Sequence, residues 1–307
     1  MPGMKRLHIL LPGQPDAGPG LAGLLARGRP SSVSAPGITA AIAQLFDLDQ
    51  AAIAPILLAA EGYEPGDSRW FRADPVHLLA GMHSLSLLDS HRFQLDAAES
   101  LALIAALNSH FAGELEFIAP RPTRWYAHFN QPMQVFVPPL DQVAGTMLDL
   151  RQITGPDATR LQGLTMEIQM RLHDQPVNDL REQRGELPIN SVWFWGGGTY
   201  RQPRCAFDQV LTDDFTATAL ARAAAIPCRP LPDHFLTVEG HTLVVFDDSA
   251  NPEKLDADWF QPILRSLKWR QMDEVILELA GPDGYQLRLD PWLAWQFWRR
   301  PKAGISG

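Results

Sequence analysis

The chain has 307 residues, 46% of them hydrophobic and 20% charged, which is enough apolar material for a full core. Its 26 basic and 35 acidic residues give a net charge of −9, which argues against a nucleic-acid partner because phosphate backbones need a basic surface. Cys205 and Cys228 form no CxxC pair and indicate no disulfide framework. No apolar run is long enough to span a bilayer, so we expect a cytoplasmic protein without a membrane partner.

The amino-terminal part predicts one strand, a long loop and two helices. Residues 7–11 are apolar and predict a buried strand, whereas residues 12–36 are rich in Gly, Pro and Ser and predict a long loop. Apolar residues at helical spacing predict a helix around residues 38–45. A second helix is expected over residues 53–60, with Pro55 in its first turn.

A helix with a clear start signal opens the middle of the chain. Asp96 and Glu99 have the spacing of a capping box, in which each side chain bonds a free backbone N–H of the first turn. The helix is expected to end near Phe111. Its predicted inner face carries Leu101, Ile104 and Leu107.

Three short strands and a long helix follow. The strands are predicted over residues 114–118, 124–129 and 134–137, and their close spacing favours antiparallel pairing. The helix begins at Asp157, and Pro176 ends it. Its apolar positions fall on one face, at Leu161, Leu164, Ile168 and Leu172.

A buried strand followed by three glycines is the most informative segment. Residues 191–195 have strand composition, and Gly196, Gly197 and Gly198 follow directly. Glycines at such a strand end let backbone N–H groups approach an anion closely. The run lacks the endings and spacing of a P-loop or a dinucleotide fingerprint, so a strand that leaves the sheet through a surface loop is the structural alternative.

The carboxyl-terminal part predicts strands and helices in alternation. An alanine-rich helix capped by Asp213 precedes a strand over residues 242–246 and a helix over residues 256–267. Residues 274–279 and 285–289 predict a hairpin. The last predicted helix carries tryptophans at positions that favour a core face or, alternatively, a partner surface: Trp292, Trp295 and Trp298.

This order of elements predicts an α/β sheet built from both chain ends, with an α+β domain inserted between them. Residues 1–69 and 177–307 would form the sheet domain, and residues 70–176 the inserted domain.

Two arginines provide the core of a candidate anion pocket. Arg181 and Arg184 share a helix face, and paired guanidinium groups suit a carboxylate or a phosphate. A solvated helix surface, with Glu182 and Glu186 as ion-pair partners, is the alternative. The predicted pocket consists of Arg72, Asn178, Arg181, Arg184, Asn190, Gly196, Gly197 and Gly198.

Two further groups are weaker candidates for metal ligands. Asp74 and His77 are three residues apart around Pro75, which suits a metal or an acid–base pair. Asp247 and Asp248 follow a buried strand, where carboxylates often bind metal. The structural alternatives are an Asp74 that bonds local backbone N–H groups and an Asp248 or Asn251 that caps the following turn.

Four segments together resemble a known family. Residues 70–78, 167–178, 187–198 and 297–301 resemble RpfE-type regulatory proteins of proteobacteria, which are often described as phosphoglycerate mutase-like. Residues 164–198 also resemble archaeal-type cofactor-independent phosphoglycerate mutases, in which a His-Pro-Val-Asn-like segment precedes an Ala-Asn-x-Ile-Trp-x-Trp-Gly-x-Gly strand. The resemblance implies an alkaline-phosphatase-like open sheet with helices on both faces and an inserted substrate domain. It also implies two divalent metals and a phosphorylated serine.

The chain departs from that pattern at the metal ligands. The first strand of the superfamily ends in Asp-Gly, whereas this strand runs into Pro12-Gly13 and Asp16 is displaced. The late Asp-x-x-x-His motif would fall near Asp247 and Asp248, where no histidine follows. Serines 31, 32 and 34 lie in the region of the nucleophile without its surrounding motif.

Two hypotheses follow from these matches and departures. The first is a non-catalytic regulatory relative without a cofactor, which senses a small anionic ligand or a protein partner. The second is an active mutase or phosphatase that depends on Mn²⁺ or Mg²⁺, with rearranged ligands drawn from Asp74, His77, Asp247 and Asp248.

Overall fold

The computed structural model describes residues 4–13, 18–33, 35–49, 52–81, 84–247, 251–296 and 298–299. The chain folds as two compact units. The first unit combines Met1–Leu48 with Pro203–Gly307, and the second is the internal segment Asp49–Gln202. Residues 49–69 and 177–202, which we expected in the sheet domain, therefore lie in the second unit.

The first unit contains a seven-stranded sheet. Elements are numbered along the chain, and the strands of this sheet are β1 (Arg6–Pro12), β2 (Arg29–Val33), β8 (Gln209–Thr212), β9 (Cys228–Arg229), β10 (His241–Val245), β11 (Glu274–Ala280) and β12 (Tyr285–Leu289). Their order is β2-β12-β11-β1-β10-β8-β9. The central strand β1 pairs in parallel with β10 and β11, and β12 is antiparallel to β11. The predicted α/β sheet built from both chain ends is confirmed.

Helices flank this sheet. They are α1 (Pro19–Arg27), α2 (Ile38–Leu45), α8 (Phe215–Ala223), α9 (Pro252–Leu255), α10 (Gln261–Lys268) and α11 (Pro291–Ala294), with a π-helical turn over Asp256–Phe260. Leu7, Ile9 and Leu11 of β1 form one core cluster with apolar residues of α1, the π-helical turn and α10. Helix α2 contacts β1 and packs against α8, and its buried residues lie outside that cluster.

The long loop expected over residues 12–36 is wrong, because this segment contains α1 and β2. The cap of α1 comes from a distant residue: the Asp256 carboxylate accepts hydrogen bonds from the backbone N–H groups of Gly20 (3.0 Å) and Leu21 (2.8 Å). A side chain at Gly20 would collide with the backbone of Gln261, at 2.6 Å from its nitrogen. The glycine thus allows close helix packing, which local composition does not reveal.

Two other details of this unit differ from the sequence predictions. Asp214, not Asp213, caps α8 by accepting a hydrogen bond from the Ala217 N–H at 2.7 Å. The three carboxyl-terminal tryptophans are exposed by 52–66% and do not form a core face.

The second unit contains a five-stranded antiparallel sheet. Its strands are β3 (Trp70–Ala80), β4 (Leu85–Leu88), β5 (Leu115–Arg121), β6 (Arg124–Phe129) and β7 (Ser191–Gly198). Strand β3 pairs with β4, β6 and β7, and β5 pairs with β6. The structure corrects the position of β7, which belongs to this sheet and not to the sheet of the first unit. The segment 134–137, predicted as a strand, forms only an isolated bridge between Phe136 and Thr154.

The helices of the second unit agree well with their sequence signals. They are α3 (Ala54–Ala60), α4 (Ala97–His110), α5 (Leu140–Val143), α6 (Ala158–His173) and α7 (Pro176–Gln183), with a 3₁₀ turn over Leu150–Gln152. The capping box at the start of α4 and the buried face of α6 are confirmed. Leu101 is wrong as an inner residue of α4, since it is 61% exposed. No helix in the described ranges is long and apolar enough to cross a bilayer.

We predict that Asp256→Asn lowers the free energy of unfolding of the first unit at pH 7 by about 1–2 kcal/mol, the usual range for a lost helix cap. Burial alone would raise the pKa of Asp256, but hydrogen bonds from Gln261, Leu21 and Gly20 lower it below its ordinary value. The folded-state pKa thus lies below the unfolded one, so this contribution is present at neutral pH and is lost as the pH falls through the folded-state pKa.

Urea denaturation of both proteins at pH 7 and at acid pH measures the effect. The difference between wild type and Asp256→Asn should shrink in acid. Asp283→Asn, an equal charge change in the exposed turn between β11 and β12, serves as the control and should leave the unfolding midpoint unchanged. A deficit in Asp256→Asn that stays constant across this pH range would contradict the capping role.

Candidate functional site

The residues singled out from the sequence gather mainly on β3, β7 and α7 of the second unit. Asp247 lies in the first unit, two residues after the end of β10, and Asp248 lies outside the described residues. The candidate site therefore consists of the paired strands β3 and β7 and of the contacts made by α7.

The three glycines are strand residues and not a loop. Arg72 lies opposite Trp195 and Trp70 lies opposite Gly198, so Gly196 and Gly197 together face Phe71 in a β-bulge. Gly196 has a φ of +63°, the left-handed conformation that glycine commonly adopts in such bulges. The expected glycine loop at the end of a strand is wrong, because the bulge keeps β7 paired through Gly198.

Close packing explains why these positions lack side chains. A Cβ atom on Gly197 would lie 2.0 Å from Cε1 of Phe71, and one on Gly196 would lie 2.7 Å from Cγ2 of Ile53. All eight residues of β7 are buried. The glycines thus allow contact with a phenyl ring and with the start of α3.

Arg72 has an anionic partner within its own strand. Its Nη2 donates a hydrogen bond to Oδ1 of Asp74, and Nε1 of Trp195 donates one to Oδ2 of Asp74 at 2.6 Å. The guanidinium carbon lies 5.1 Å from the ring centroid of Tyr126 and 5.3 Å from that of Trp195, within the range of cation–π attraction. Arg72 and Asp74 are 6% and 2% exposed. This predicted anion-pocket residue is therefore neutralised internally.

Burial and the neighbouring charges oppose each other in this cluster. At Arg72 burial lowers the pKa, but the charge and hydrogen bond of Asp74 outweigh it and raise the pKa above its ordinary value. At Asp74 burial prevails and raises the pKa, against the lowering effects of the Arg72 charge and the hydrogen bonds from Arg72 and Trp195. Burial likewise raises the pKa of the Tyr126 hydroxyl, so this group stays protonated at neutral pH. The Nε atom of Arg72 and the hydroxyl of Tyr126 are buried without hydrogen-bond partners.

Arg181 of α7 and Arg184, which directly follows α7, converge on a single carboxylate. The Arg181 side chain is 1% exposed, and it donates hydrogen bonds to Glu99 and to the carbonyl oxygens of Leu187 (2.9 Å) and Gln94 (2.8 Å). Arg184 is half exposed and bonds both Glu99 and Glu186. The sequence alternative identified Glu186 as a partner, but it missed Glu99, which is 82 residues from Arg181.

Asn178 and Asn190 hold backbone segments in place. Asn178 donates hydrogen bonds to the carbonyl oxygens of Leu172 and Ile189 and accepts one from the Ile189 N–H, at 2.7–2.9 Å. Asn190 bonds both the N–H (2.7 Å) and the carbonyl oxygen (2.9 Å) of Leu78. These two side-chain bonds replace the backbone hydrogen bonds that one more residue pair would add to the β3–β7 ladder.

The candidate metal ligands have other contacts. Both carboxylate oxygens of Asp74 accept hydrogen bonds, and His77 donates its Nδ1–H to the carbonyl oxygen of Pro188 at 2.8 Å. Across the described ranges, no three His, Cys, Asp or Glu side chains are grouped so that they could hold a metal ion. Because the Asp74 oxygens are already bonded to a guanidinium and an indole, this donor set does not fit the metal pair that the resemblance implies.

Sequence reasoning missed an apolar cavity of about 270 Å³ in the second unit. Ser191, Trp193 and Phe194 of β7 line it together with Leu161 and Thr165 of α6. The hydroxyl of Ser191 is buried without a hydrogen-bond partner. The helical face of α6 was visible in the sequence, but a cavity depends on packing between elements that are distant in the chain.

A buried polar pair in the first unit was also missed. Nε2 of His8 lies 2.8 Å from Oε2 of Glu278, and Nε2 of Gln286 donates to the same oxygen at 3.1 Å. His8 and Glu278 are 4% and 5% exposed. The sequence held a signal for this pair, because His8 and Glu278 each place a polar residue within an apolar strand. It did not show, however, that β1 and β11 are neighbours.

Comparisons with known proteins show a distant relationship. No family model matches the chain. A probable 2,3-bisphosphoglycerate-independent phosphoglycerate mutase of Geobacter sulfurreducens is 28% identical over 197 residues, which cover 61% of this chain and 47% of that protein. The matched part thus spans about half the length of this curated relative.

Two solved structures resemble the chain over most of its length. One is a cofactor-independent phosphoglycerate mutase from Thermoplasma acidophilum, with a TM-score of 0.38 and 16% identity over 93% of this chain and 90% of that one. The other is a protein from Pyrococcus horikoshii, with a TM-score of 0.48 and 13% identity over 94% of this chain and 87% of that one. The chain is distantly similar to cofactor-independent phosphoglycerate mutases and has a mixed α/β fold.

We predict that Gly197→Ala destabilises the second unit by about 3 kcal/mol, at the upper end of the cost of overpacking, because the Phe71 ring is buried and must move. Gly163→Ala in α6 is the matched control, since its new methyl group meets open space. It should raise stability by about 0.5–1 kcal/mol through the higher helix propensity of alanine. Equal urea midpoints for the two variants would contradict the role of the bulge.

We also predict that Arg181→Ala lowers the free energy of unfolding by about 3–5 kcal/mol, because it leaves two partly buried carbonyl groups and much of the Glu99 charge unpaired. Arg184→Ala, directly after the same helix, should cost far less, since that side chain is half exposed. Denaturant titrations of both variants test this difference. Comparable losses of stability in the two would contradict a mainly structural role for Arg181.

Proposed function

We propose that this chain is a non-catalytic, phosphoglycerate-mutase-like regulatory protein of the RpfE type, which senses a small anionic ligand or a protein partner. The distant similarity to the Geobacter sulfurreducens protein supports the mutase-like ancestry. The observation that carries the non-catalytic part is the internal neutralisation of the candidate site: Asp74 binds Arg72, and Glu99 binds Arg181.

The end of β1 also supports this proposal. The resemblance implies an Asp-Gly pair there, whose Asp binds metal. In this chain β1 ends at Pro12, which has no donor side chain, whereas Gly13 has a φ of +60°. Gly13 thus matches the glycine of the Asp-Gly pair, in a conformation that glycine favours. Pro12, however, stands where that pair has its metal-binding Asp.

An anionic ligand is one form of the proposed signal. Arg184 keeps about half of its side chain exposed, and its partner Glu186 is similarly exposed, so an incoming anion could compete for this guanidinium group. Arg181 is less suited, because its side chain is only 1% exposed and an anion would have to displace Glu99 from it. The expected cytoplasmic location and the absence of a nucleic-acid partner stay predictions.

The alternative is a cofactor-independent mutase or phosphatase that uses Mn²⁺ or Mg²⁺ with rearranged ligands. The similarity to the Geobacter sulfurreducens protein, which is described as a probable mutase, favours this alternative. It requires ligands other than the present partners of Asp74, since a metal there would compete with Arg72 and Trp195 for both oxygens.

A mutase assay separates the two functions. Purified protein with Mn²⁺ or Mg²⁺ and 3-phosphoglycerate should form no 2-phosphoglycerate above a protein-free blank, as measured by phosphorus NMR. A known active cofactor-independent mutase provides the positive control. Formation of 2-phosphoglycerate that is lost in Asp247→Ala would overturn the non-catalytic proposal.

A further inference from the structure

We propose that one face of the first unit binds an acidic segment of a partner protein. This face is the basic tryptophan surface, which is defined by Arg29, Lys268, Trp292, Trp295 and Arg299. The inference rests on the protein-partner form of the proposed function and specifies the chemistry of that partner. None of these residues belongs to the candidate anion pocket.

The tryptophans of this surface are large apolar side chains that the fold leaves in solvent. Trp292 is 63% exposed and Trp295 is 52% exposed, although burial of an aromatic ring is normally favourable. Between them, Leu293 is buried and carries the contact of α11 with the core. Exposed apolar patches that are rimmed by polar residues commonly mark interaction sites. The rings are therefore available to a partner.

Cationic side chains lie over both rings. Cζ of Arg29 is 5.5 Å from the ring centroid of Trp292, and Nζ of Lys268 is 5.9 Å from that of Trp295. Both distances are within the range of cation–π attraction. Nε1 of Trp295 also donates a hydrogen bond to the carbonyl oxygen of Lys268 at 3.0 Å, which holds this ring against the end of α10. Apolar and cationic groups thus form one continuous surface.

The chain segments that build this surface carry positive charge only. Residues 17–46, 259–272 and 291–307 contain two, three and three Lys or Arg residues, respectively, and no Asp or Glu, although the whole chain has 35 acidic residues. These segments include α1, α10 and α11, which contact one another. The positive charges are therefore concentrated in one part of a chain whose net charge is −9.

The cations of the surface lack carboxylate partners within the chain. Among the residues that the structure describes, Arg29, Lys268 and Arg299 form no ion pair. Asp290, the acid directly before the third segment, caps α11 through a hydrogen bond of 2.8 Å. Burial and then the charge of Arg27 lower the pKa of Lys268, and an approaching carboxylate would counteract both effects.

This combination of groups identifies an acidic protein segment as the occupant. Trp and Arg are the residue types that most often dominate the binding energy of protein–protein interfaces, and cations without partners attract and orient carboxylates. A second copy of the same surface is unsuited, because the contact would bring like charges together. A nucleic acid is also unsuited, since a net charge of −9 repels an extended polyanion.

An anionic membrane suits the surface less well, although it also attracts tryptophans and cations. A helix that lies on a bilayer inserts a continuous apolar face into it. Here the main aliphatic residues of α1, α10 and α11 are buried in the first unit and at most 2% exposed: Leu21, Leu24, Ile263, Leu267 and Leu293. The three helices therefore have no aliphatic face left for insertion.

Two matched peptide pools test the proposal. In the first, Glu or Asp alternates with Leu, Ile or Phe; in the second, Gln or Asn replaces the acids. Fluorescence anisotropy measures their binding to the full chain, and the indole N–H resonances of Trp292 and Trp295 report its position. The acidic pool should shift both resonances and bind at least about tenfold more tightly than the neutral pool, and added salt should weaken it. Equal binding of the two pools, or none, would overturn the proposal.

Two variants with matched controls identify the surface. Trp292→Ala should weaken binding of the acidic pool at least about tenfold, whereas Tyr63→Ala, at an exposed aromatic residue of the second unit, should not. Arg29→Glu should likewise weaken it, whereas Arg92→Glu, an equal charge change in an exposed turn of the second unit, should not. Equal affinities within either pair would overturn the proposal. Circular dichroism checks that each variant is folded.

Two further measurements test the competing occupants. Co-sedimentation of the chain with phosphatidylserine vesicles that is lost in Trp292→Ala would assign the surface to a membrane and overturn the proposal. Trp292→Ala should leave the molar mass in solution unchanged, and a dimer that dissociates in this variant would assign the surface to a second copy instead. The mutase assay is independent: mutase activity would overturn the non-catalytic assignment, whereas failed peptide binding would overturn this inference alone.

Discussion

The buried ion pair of Arg72 and Asp74 constrains the whole second unit. Two charges removed from water are stable only when their hydrogen bonds are well satisfied, and loss of one partner from such a pair typically costs about 3–5 kcal/mol. Here the third participant is Trp195, which bonds Asp74 from the neighbouring strand. Since side chains alternate along a strand, a slip of β7 by one residue would turn Trp195 to the other face and break this contact. The ion pair therefore helps to set the register of β3 with β7.

That register determines the features around it. With Trp195 opposite Arg72, the two residues Gly196 and Gly197 must share the space opposite Phe71, which produces the bulge. At the other end, Val76 lies opposite Ser191, and Asn190 continues the ladder through its side-chain amide. The cavity wall formed by Ser191–Phe194 follows from the same alignment.

Sequence reasoning predicted the locally determined elements well and the non-local ones poorly. The capping box of Asp96 and Glu99 and the apolar face of α6 depend on residues three or four apart, so their signals survive in a single sequence. Helix α1 was missed because its cap, Asp256, is 235 residues from Leu21. The glycines of β7 were assigned to a loop because only the position of Phe71 reveals the bulge.

In the candidate site, the sequence likewise revealed the residue types but not their partners. Arginines, asparagines and glycines next to a buried strand are typical of an anion pocket, and these residues do gather in the second unit. However, the charges they need to balance are supplied by the chain, through Asp74 and Glu99. Composition near one strand cannot distinguish a site for an external anion from an internal ion-pair network, because both require the same donors.

The sequence motif that resembles mutases therefore forms a buried strand whose contacts with β3 are structural. Toward β3, the tryptophan and glycine positions of β7 are used for register and close packing. Residues 191–194 of the same strand also line the cavity, and most of them are apolar. A motif can thus persist because it builds the sheet, while the chemistry available to a ligand is set by the residues that remain unpaired.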